Sequence, residues 1–364
     1  MNRPLLIVGA SGRAAARSAQ RAGWQPFIID LFADEDTRAL GPVWQCPLVE
    51  YPHGFIALAA QAPPGPWMYT GGLENYPEVV EKISRTRHLY GVPPEVLKSI
   101  RDPFFLRTLV PMPAMRRTSE LHDNTKRWLC KPFRSSGGLG IESLPVAAPA
   151  SRLDECYFQE WFDAPSYSAL FLFNGHRPPS LIGVSAQLVG EPWLHAPGFQ
   201  YCGNIGPIPT DEHINNRLRE WGHALQPLGL CGLVGVDFLR SGSDLFVLEV
   251  NPRYTASVEL YERASAESLL GAHVRCFTES GALPGAENCQ LAGLKIYGKG
   301  VLYAEHSFVV PPLHPWRGPA FADVPTVGSI ISDGQPVVTL FASGDTEAEC
   351  RERLMQLARV SEPR

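Results

Sequence analysis

The stretch G-V-D-F-L-R-S-G-S-D-L-F-V-L-E-V-N-P-R, residues 235–253, carries polar side chains inside two apolar runs that a short polar turn joins. Asp237 lies in the first run, and Glu249, Asn251 and Arg253 lie in the second. Because side chains alternate along a β-strand, the last three are expected on one face. Acids are rarely buried in strands without a partner. The pattern predicts a seat for Mg²⁺ and a polyphosphate, since Mg²⁺ prefers oxygen ligands and arginine binds phosphate. A charged surface hairpin is the alternative.

The facing of Asp237 depends on how the two runs pair. A simple four-residue turn at 241–244 would set Asp237 opposite Leu248, on the wrong face for Glu249. One extra residue in the connection, or a β-bulge, would bring the two acids to the same face. A shared metal ion therefore requires such an irregularity.

A second motif, W-L-C-K-P-F-R-S-S-G-G-L-G-I, lies upstream at residues 128–141. An apolar strand ends there in Lys131, although only six of the 32 cationic residues of the chain are lysines. The loop that follows contains Ser135, Ser136, Gly137, Gly138 and Gly140. Glycine lets backbone N–H groups approach phosphate oxygens. The motif predicts a phosphate-binding lysine and loop; a hairpin with a flexible tip is the alternative, and the sequence is not a Walker A loop.

Between these two motifs lies C-Y-F-Q-E-W-F-D-A-P, residues 156–165. It is typical of a strand that runs into a proline turn. Its backbone could pair with the edge of an adenine, while Glu160 or Asp163 reaches a ribose. By itself the segment fits an ordinary strand equally well.

The three motifs occur in an order that resembles the ATP-grasp superfamily of ATP-dependent ligases. The resemblance covers roughly residues 96–275, and the twelve-residue step from Asp237 to Glu249 is also similar to the family's. It implies ATP and Mg²⁺ as cofactors, with Mn²⁺ as an alternative metal. Lys131 would hold the α- and β-phosphates, and the glycine loop would fold over the β- and γ-phosphates.

The same resemblance implies the remaining roles. The residues expected around the adenosine are Gln159, Glu160, Trp161, Phe162 and Asp163. The expected metal ligands are Asp237, Glu249 and Asn251. Arg253 would lie beside the transferred phosphate, so that Lys131 and Arg253 are the predicted catalytic residues.

One feature of the family is missing from this chain. Many members carry an Asp-Lys pair before the core, and its lysine also reaches ATP. The comparable stretch here is I-R-D-P-F-F-L-R, residues 100–107, with Pro103 in the place of the lysine. Arg101, Arg107 or Lys98 would have to substitute. The missing lysine is the main support for an alternative function, an ATP-binding protein without ligase activity.

The N-terminal part predicts a Rossmann-like α/β lobe. An apolar strand at Pro4–Val8, the turn G-A-S-G-R, a helix over Ala14–Ala22 and a second strand ending in Asp30 form a βαβ unit. Arginines at 13, 17 and 21 are expected on one solvated face of the helix. Because the glycine fingerprint is incomplete, an NAD(P)-binding oxidoreductase is kept only as an alternative, and Asp30 is expected to cap or end its strand.

A further crevice is predicted at G-G-L-E-N, residues 71–75, which follows another apolar strand. A plain turn is the alternative there. The predicted substrate contacts are Glu74, Asn75, Arg253, Tyr254 and Ser257. Residues 77–90 predict a helix, and G-V-P-P at 91–94 predicts a domain boundary.

The composition fits a globular enzyme and excludes other classes. The chain has 364 residues, of which 45% are hydrophobic and 19% are charged. A net charge of −5 without a long basic run gives no signature of nucleic-acid binding. No apolar run approaches the ~18–20 residues of a membrane span, and none of the eight cysteines forms a C-x-x-C pair. We expect a cytoplasmic protein with reduced cysteines and no nucleic-acid or membrane partner; a homodimer is left open.

These observations predict an α/β (α+β) chain with an ATP-grasp fold in three parts. They are a Rossmann-like lobe at 1–94, an ATP-grasp core at 95–275, and a β-rich cap with a closing helix at 276–364. The predicted activity is ATP-dependent formation of an amide through an acyl phosphate. The partners are a small-molecule acid and a small-molecule amine.

Three segments carry a finer resemblance. G-G-L-E-N, L-E-V-N-P-R-Y-T-A-S-V-E at 248–259 and D-V-P-T-V-G at 323–328 resemble ATP-grasp proteins linked to methylofuran and tetrahydromethanopterin biosynthesis in one-carbon metabolism. That resemblance implies an amino acid such as glutamate as the acid, and a tyramine-like or pterin-linked amine as the acceptor.

Overall fold

The N-terminal lobe is built on a parallel sheet, as its βαβ pattern predicts. The structure, a computed structural model, describes residues 3–117, 126–143, 155–175, 177–265, 267–278 and 295–362. The strands of the lobe are β1 (Arg3–Val8), β2 (Trp24–Asp30), β3 (Val43–Gln45) and β4 (Trp67–Tyr69), in the order β3-β2-β1-β4. Its helices are α1 (Arg13–Arg21), α2 (Glu35–Arg38), α3 (Gly54–Gln61), α4 (Pro77–Ser84), α5 (Pro94–Ile100) and α6 (Pro103–Leu106).

Helix α1 corrects the expectation of one solvated arginine face. Arg17 and Arg21 are exposed, but Arg13 is only 1% exposed. The Arg13 guanidinium lies between Glu259 and Asp323, which are 246 and 310 residues away in the sequence. The periodicity of a single helix cannot reveal partners at that separation, so the buried arginine became visible only in the tertiary structure.

The helix predicted over residues 77–90 is too long. Helix α4 ends at Ser84, and the chain then turns back to run beside β4. Trp67 N donates to His88 O at 2.9 Å, and Tyr90 N donates to Trp67 O at 2.7 Å. Leu89 forms a parallel bridge with Trp67. Backbone pairing at the sheet edge therefore outweighs the helical pattern of residues 85–90.

A small antiparallel sheet follows the lobe. Its strands are β5 (Met115–Arg116), β6 (Trp128–Pro132), β7 (Glu142–Ser143) and β8 (Cys156–Glu160), in the order β5-β8-β6-β7. Lys131 lies on β6 directly opposite Tyr157 on β8. The lysine motif and the Q-E-W-F segment are thus neighbouring strands of one sheet.

An eight-stranded sheet forms the rest of the molecule, in the order β13-β12-β9-β10-β11-β14-β18-β16. Its strands are β9 (Ser166–Asn174), β10 (Ser180–Val189), β11 (Tyr201–Gly206), β12 (Cys231–Ser241), β13 (Asp244–Asn251), β14 (Ile296–Tyr303), β16 (Phe321–Ala322) and β18 (Pro336–Gly344). A separate ribbon pairs β15 (Phe308–Val309) with β17 (Ile330–Ile331). The helices are α7 (Glu212–Leu225), α8 (Val258–Ser265), α9 (Leu269–Thr278) and α10 (Glu347–Val360). The β-rich C-terminal part therefore continues the sheet of the core.

One hydrophobic core joins the lobe to the large sheet. Leu6 and Trp67 from the parallel sheet belong to the same buried cluster as Phe171 on β9 and Trp221 on α7. The helices bury one face against these sheets. Within the described part of the chain, no helix has both the length and the apolar composition needed to cross a membrane.

His273 on α9 connects three parts of this core. Its Nδ1 accepts a hydrogen bond from Leu233 N at 2.9 Å, and its Nε2 lies 3.0 Å from Tyr90 O, to which it donates. The imidazole is almost fully buried. Burial lowers the pKa of His273 from 6.5 to about 4, although the hydrogen bond to Tyr90 opposes the shift. The neutral ring is therefore the form that the fold requires.

We expect the stability of the protein to fall when the pH is lowered from 7 to 5. Between the unfolded pKa of 6.5 and the folded pKa of about 4, the unfolded chain binds a proton that the folded chain does not. The loss from His273 alone is about 2 kcal/mol over this interval. Urea unfolding at both pH values measures it. His273→Asn should show a flatter pH dependence, and parallel curves for the two proteins would contradict the assignment.

Candidate functional site

A cavity of about 940 Å³ lies where the loops after β1 and β4 meet the small sheet and the large sheet. Its volume is within the usual range for small-molecule sites. The predicted site residues line this cavity with three exceptions, which are Gly140, Glu74 and Asn75. The tertiary structure thus brings the separated motifs to one place.

The hairpin of β12 and β13 contains the irregularity that a shared site for its acids requires. Asp237 pairs with Glu249, whereas the next residue, Phe238, pairs with Val247. Leu248 is therefore an extra residue, and the ladder contains a β-bulge at this point. The bulge brings the carboxylates of Asp237 and Glu249 to the same face of the hairpin.

Asn251 bridges the two acids. Its side-chain nitrogen lies 3.0 Å from Asp237 Oδ2 and 3.1 Å from Glu249 Oε1. Its Oδ1 accepts a hydrogen bond from Arg253 at 3.4 Å. A half turn of the amide would present its oxygen to a cation bound between the acids. The three predicted metal ligands are therefore in mutual contact.

The charges around the two acids are unequal. Burial and, second, the charge of Glu249 raise the pKa of Asp237 to about 7. Burial would also raise the pKa of Glu249, but Arg101 and Lys131 outweigh it and lower that pKa to about 2. A cation bound between the two carboxylates would favour the ionised form of Asp237, because it would offset the repulsion from Glu249.

The donor set fits Mg²⁺ better than a metal bound by protein ligands alone. Mg²⁺ is usually held by one or two carboxylates, with phosphate and water oxygens completing its octahedron. In the described residues, no group of three or more His, Cys, Asp or Glu side chains could hold a metal ion. Asp237, Glu249 and Asn251 supply hard oxygen ligands, and phosphates would have to supply others.

Arg101 is the cation nearest to the place of the missing lysine. Its guanidinium lines the cavity and donates to Glu249 Oε2 at 3.1 Å and to Asn75 Oδ1 at 3.1 Å. The other two possible substitutes, Arg107 and Lys98, are exposed and are not among the lining residues. Of the three, Arg101 alone adds a positive charge to the cavity.

Lys131 reaches the cavity from the small sheet, as predicted. Its ammonium donates to Gln159 Oε1 at 3.0 Å. Gln159 is almost fully buried, and its side-chain nitrogen has no partner within the described chain. Because its carbonyl oxygen is bound to the lysine, Gln159 acts as a support for Lys131.

The glycine loop is folded against β11. Gly137 O accepts a hydrogen bond from Tyr201 N at 2.9 Å, and a Cβ on Gly138 would lie 1.9 Å from Phe199 O. Gly137, Gly138 and Gly140 have φ values of +62°, +76° and +75°, which other residues rarely adopt. The glycines are therefore required by the backbone path, whatever ligand the loop covers.

Two predicted substrate contacts are corrected, because Glu74 and Asn75 support other residues from behind the cavity wall. Glu74 is 1% exposed and accepts from Arg253 Nε at 2.8 Å. Asn75 donates to Ser135 O in the glycine loop at 3.0 Å. The G-G-L-E-N turn thus holds the loop and the arginine in place.

The segment after β8 is only partly free to bind a nucleotide. The backbone N–H of Glu160 donates to Ala114 O, and that of Trp161 donates to Arg127 O, both at 2.8 Å. These two donors are unavailable to an adenine, which corrects the expectation of a free backbone edge at both residues. No backbone acceptor occurs for the N–H of Phe162 among the residues that the structure describes.

The side chains of this segment also have distinct surroundings. Glu160 forms an ion pair with Lys126 at 3.0 Å. Phe162 stacks on Phe246, with ring centroids 5.0 Å apart. Asp163 is exposed, lines the cavity and forms no hydrogen bond or ion pair with the described residues, so it is the better of the two predicted ribose ligands.

Tyr254 and Ser257 line the cavity but already have partners. The Tyr254 hydroxyl donates to Glu262 Oε2 at 3.2 Å. The Ser257 hydroxyl lies 2.9 Å from the hydroxyl of Thr255. The ring of Tyr254 is therefore the part that a substrate could meet, since its polar end is used inside the protein.

Two neighbours of Asp237 were missed in the sequence. Ser168 on β9 pairs with Asp237 across the ladder, and hydrogen bonds from Ser168 and Gln187 partly offset the rise in its pKa. No local signal marks either residue, because only the pairing of β9 with β12 brings Ser168 to the acid.

Comparison with known proteins agrees with this geometry. Residues 103–257 match the model of the ATP-grasp domain. An uncharacterized protein of Methanocaldococcus jannaschii is 23% identical over 222 residues, which are 60% of this chain and 51% of that protein. The carbamoyl phosphate synthase large chain of Neisseria gonorrhoeae is 34% identical over 97 residues, 26% of this chain and 9% of that protein. The chain therefore spans about half the length of the first relative.

Solved structures share the fold over nearly the whole chain. The biotin carboxylase domain of 2-oxoglutarate carboxylase from Hydrogenobacter thermophilus, solved with MgADP, ADP and bicarbonate as a dimer, has a TM-score of 0.72 at 12% identity, covering 97% of this chain and 89% of that one. An L-amino acid ligase from Bacillus licheniformis has a TM-score of 0.71 at 15% identity, covering 99% and 98%. N5-carboxyaminoimidazole ribonucleotide synthetase from Thermus thermophilus has 0.69 at 16%, covering 99% of both. At these identities the likeness shows the fold alone.

We expect Lys131→Met to weaken binding of Mg-ATP by about 1.5–3 kcal/mol, the typical cost of losing a charged hydrogen bond. The reason is that Lys131 lines the cavity and that its positive charge lowers the pKa of Glu249. Isothermal calorimetry measures the change. Lys82→Met, which removes an exposed lysine on α4, is the matched control, and equal affinity in the two folded variants would refute the role of Lys131.

We expect Asp237→Asn to reduce the dependence of ADP binding on Mg²⁺. Loss of one of two carboxylates at the site removes a large share of the attraction for a divalent cation. The measurement is ADP affinity by calorimetry with and without Mg²⁺. Asp244→Asn changes an exposed acid on the same hairpin and should leave the dependence unaltered. A wild-type Mg²⁺ effect in Asp237→Asn would exclude Asp237 from the metal site.

Proposed function

We propose that this chain, whose residues 103–257 match the model of the ATP-grasp domain, is an ATP-dependent ligase that joins a carboxylate to an amine. The observation that carries the proposal is a single cavity in which Lys131, Arg101 and Arg253 surround the paired acids Asp237 and Glu249. Such a group of charges can position a polyphosphate and neutralise it. Positioning and charge stabilisation are the main contributions of a protein to phosphoryl transfer.

Each cation has a separate position in the proposed site. Lys131 enters from the small sheet and is held by Gln159. Arg101 enters from the segment before α6 and is held by Asn75 and Glu249. Arg253 follows β13 and is held by buried Glu74. Because all three are oriented by hydrogen bonds before a ligand arrives, little reorganisation is needed when negative charge spreads over the transferred phosphoryl group.

The acids and the glycine loop have complementary roles. Asp237, Glu249 and Asn251 would hold Mg²⁺, which would supply positive charge to neutralise the phosphates. The glycine loop contacts β11 through Gly137. In this position it would limit the entry of water, which would otherwise hydrolyse a reactive acyl intermediate.

The proposed chemistry has two steps. A carboxylate oxygen of the acid substrate attacks the γ-phosphorus of ATP, and the bond to the β-γ bridging oxygen breaks, giving an acyl phosphate and ADP. An amine that is bound as an ammonium ion first gives a proton to solvent. Its nitrogen lone pair then attacks the acyl carbon, the bond from carbon to the phosphate oxygen breaks, and the nitrogen loses a further proton. Amide and orthophosphate are the products, and no nucleophilic side chain of the protein is consumed.

The identity of the two substrates is a further part of the proposal. The resemblance to ATP-grasp proteins of one-carbon cofactor biosynthesis makes glutamate the first acid to test. An L-amino acid ligase with the same fold makes other amino acids the next acids to test. A small-molecule amine is the acceptor, and a homodimer remains an open prediction.

The two alternative functions have less support. The ATP-binding protein without ligase activity rests on Pro103, yet Arg101 supplies a cation in that region. The oxidoreductase rests only on the partial glycine fingerprint of the N-terminal lobe, where Asp30 is expected to cap or end its strand. Asp30 is 1% exposed, and its carboxylate accepts hydrogen bonds from the backbone of Gly12, Phe32 and Ala33.

We expect turnover to release ADP and orthophosphate when the enzyme is supplied with Mg-ATP, glutamate and a pool of amines. With ¹⁸O in the carboxylate of the acid, one labelled oxygen should appear in the phosphate, because that oxygen bridges carbon and phosphorus in the acyl phosphate. Mass spectrometry detects both the label and the amide. Glu249→Gln should abolish turnover in a folded protein, since one metal ligand loses its charge.

Two results would refute the acyl phosphate mechanism. They are AMP as the nucleotide product, and an amide formed while all of the label stays in the organic product. Folding of Glu249→Gln is checked by its unfolding transition. Lack of turnover with every acid and amine, despite tight binding of Mg-ATP, would favour the ATP-binding function without ligation.

A further inference from the structure

The end of the cavity nearest the N-terminal lobe is surrounded by acidic side chains. They come from the end of β2, from the segment after it including α2, from α8 and from the loop after β16. They are Asp30, Asp34, Asp36, Glu259 and Asp323, of which Asp34 and Asp323 line the cavity itself. Only two cations, Arg13 and Lys299, pair with members of this group in the described structure. We call this set the acidic wall.

Both cations of the acidic wall are already used. Arg13 donates to the two oxygens of Glu259 at 2.6 and 2.8 Å and to those of Asp323 at 2.8 and 3.2 Å. Lys299 donates to Glu259 at 3.1 Å. Four of the five N–H groups of the Arg13 guanidinium donate to these carboxylates, and the surrounding acids would repel an anionic ligand. The wall therefore does not form an anion site.

Two of the acids are satisfied by the backbone. Asp30 accepts from three N–H groups in the turns after β1 and β2. Asp36 accepts from the N–H groups of Asp323 and Val324 at 2.9 and 3.0 Å. The hydrogen bonds of Asp36 dock α2 onto the C-terminal part of the chain, and those of Asp30 hold the turns of the lobe, so both carboxylates have a structural role.

Asp34 is different from the other four acids. It is only 8% exposed and it lines the cavity, yet its carboxylate has no hydrogen bond or ion pair with any residue that the structure describes. Burial, followed by the charges of Asp323, Asp30 and Asp36, raises its pKa well above the ordinary value. A buried carboxylate without a partner is costly, so its presence facing a ligand cavity points to a missing cationic partner.

We propose that Asp34 binds a positively charged nitrogen of the amine substrate. The inference rests on the proposed ligase for the role of that amine as acceptor, but the binding itself does not depend on catalysis. Phe32 lines the same cavity two residues before Asp34. A carboxylate together with a nearby aromatic ring is a suitable environment for an organic ammonium group.

An organic cation suits the site better than a metal ion. Among the residues that the structure describes, no three acidic, histidine or cysteine side chains are placed to bind one metal. Asp30 and Asp36, which would be needed as further ligands, are engaged by backbone N–H groups. A single free carboxylate can form an ion pair with an ammonium group. A metal ion such as Mg²⁺ would need about six oxygen ligands.

The test uses Asp34→Asn, which keeps the shape of the side chain and removes its charge. Asp244→Asn, at an exposed position on β13, is the matched control for loss of one negative charge. Binding to the Mg-ADP-loaded protein is measured by calorimetry for three amines and their neutral isosteres: phenethylamine and phenylethanol, putrescine and butanediol, and ethanolamine and ethylene glycol.

We expect wild type and Asp244→Asn to bind at least one amine roughly tenfold or more tightly than its alcohol. Asp34→Asn should lose that discrimination. A second readout needs no ligand. Burial raises the pKa of Asp34 in the folded protein, so ionisation of this carboxyl lowers the stability of the fold as the pH rises. Asp34→Asn should therefore melt about 1–3 °C above wild type at pH 8.

A panel in which no amine is preferred over its alcohol, or an unchanged preference in Asp34→Asn, overturns the proposal. A lower melting temperature for Asp34→Asn at pH 8 also overturns it, because that result marks a structural carboxylate. If the amine preference depends on Asp34 while no amide forms with any acid, the cation site stands and the ligase function fails.

Discussion

The arrangement of the whole cavity depends on the ion pairs that the buried guanidinium of Arg13 forms. The guanidinium lies between Glu259 near the start of α8, the helix after the hairpin of β12 and β13, and Asp323 from the C-terminal part of the large sheet. Lys299 on β14 also donates to the carboxylate of Glu259. One charge thus joins the N-terminal lobe to the core and to the last third of the chain. Removing a partner from such a network would leave an unpaired buried charge, which typically costs about 3–5 kcal/mol.

The cavity that results has two charge environments. Near Asp237 and Glu249 the cavity is lined by the cations Arg101, Lys131 and Arg253, of which Arg101 pairs with Glu249. At the lobe end, the cations are neutralised internally and one carboxylate is left over. Opposite charge at the two ends would orient a reaction between an anionic phosphate donor and a cationic acceptor.

Backbone strain is concentrated at the same lobe end. Ala33 and Asp323 have φ values of +51° and +52°, in the left-handed region that non-glycine residues avoid at a cost of about 1–2 kcal/mol. The N–H of Ala33 donates to Asp30 Oδ1 at 2.7 Å, which holds the strained turn and directs the next residue, Asp34, to the cavity. Strain of this kind persists where the surroundings over-determine the backbone, as they do at binding sites.

The sequence by itself determined the local features: the parallel lobe, the lysine strand with its glycine loop, and the polar face of the hairpin at 235–253. These follow from alternation, glycine content and turn residues, which act over a few positions. It also showed that Asp237 and Glu249 need an irregularity to face the same way, because a two-residue period leaves no other solution.

Only the tertiary structure decided that this irregularity is a bulge at Leu248 and that Arg101, of the three candidate cations, lines the cavity. Burial of Arg13 and the position of Glu74 and Asn75 outside the cavity lining were also decided there. It also decided that residues 88–90 pair with β4 and that the N–H groups of Glu160 and Trp161 are occupied. The physical reason is the same in each case. Burial, charge pairing and backbone pairing between distant segments depend on which segments meet in space, and no local pattern encodes that meeting.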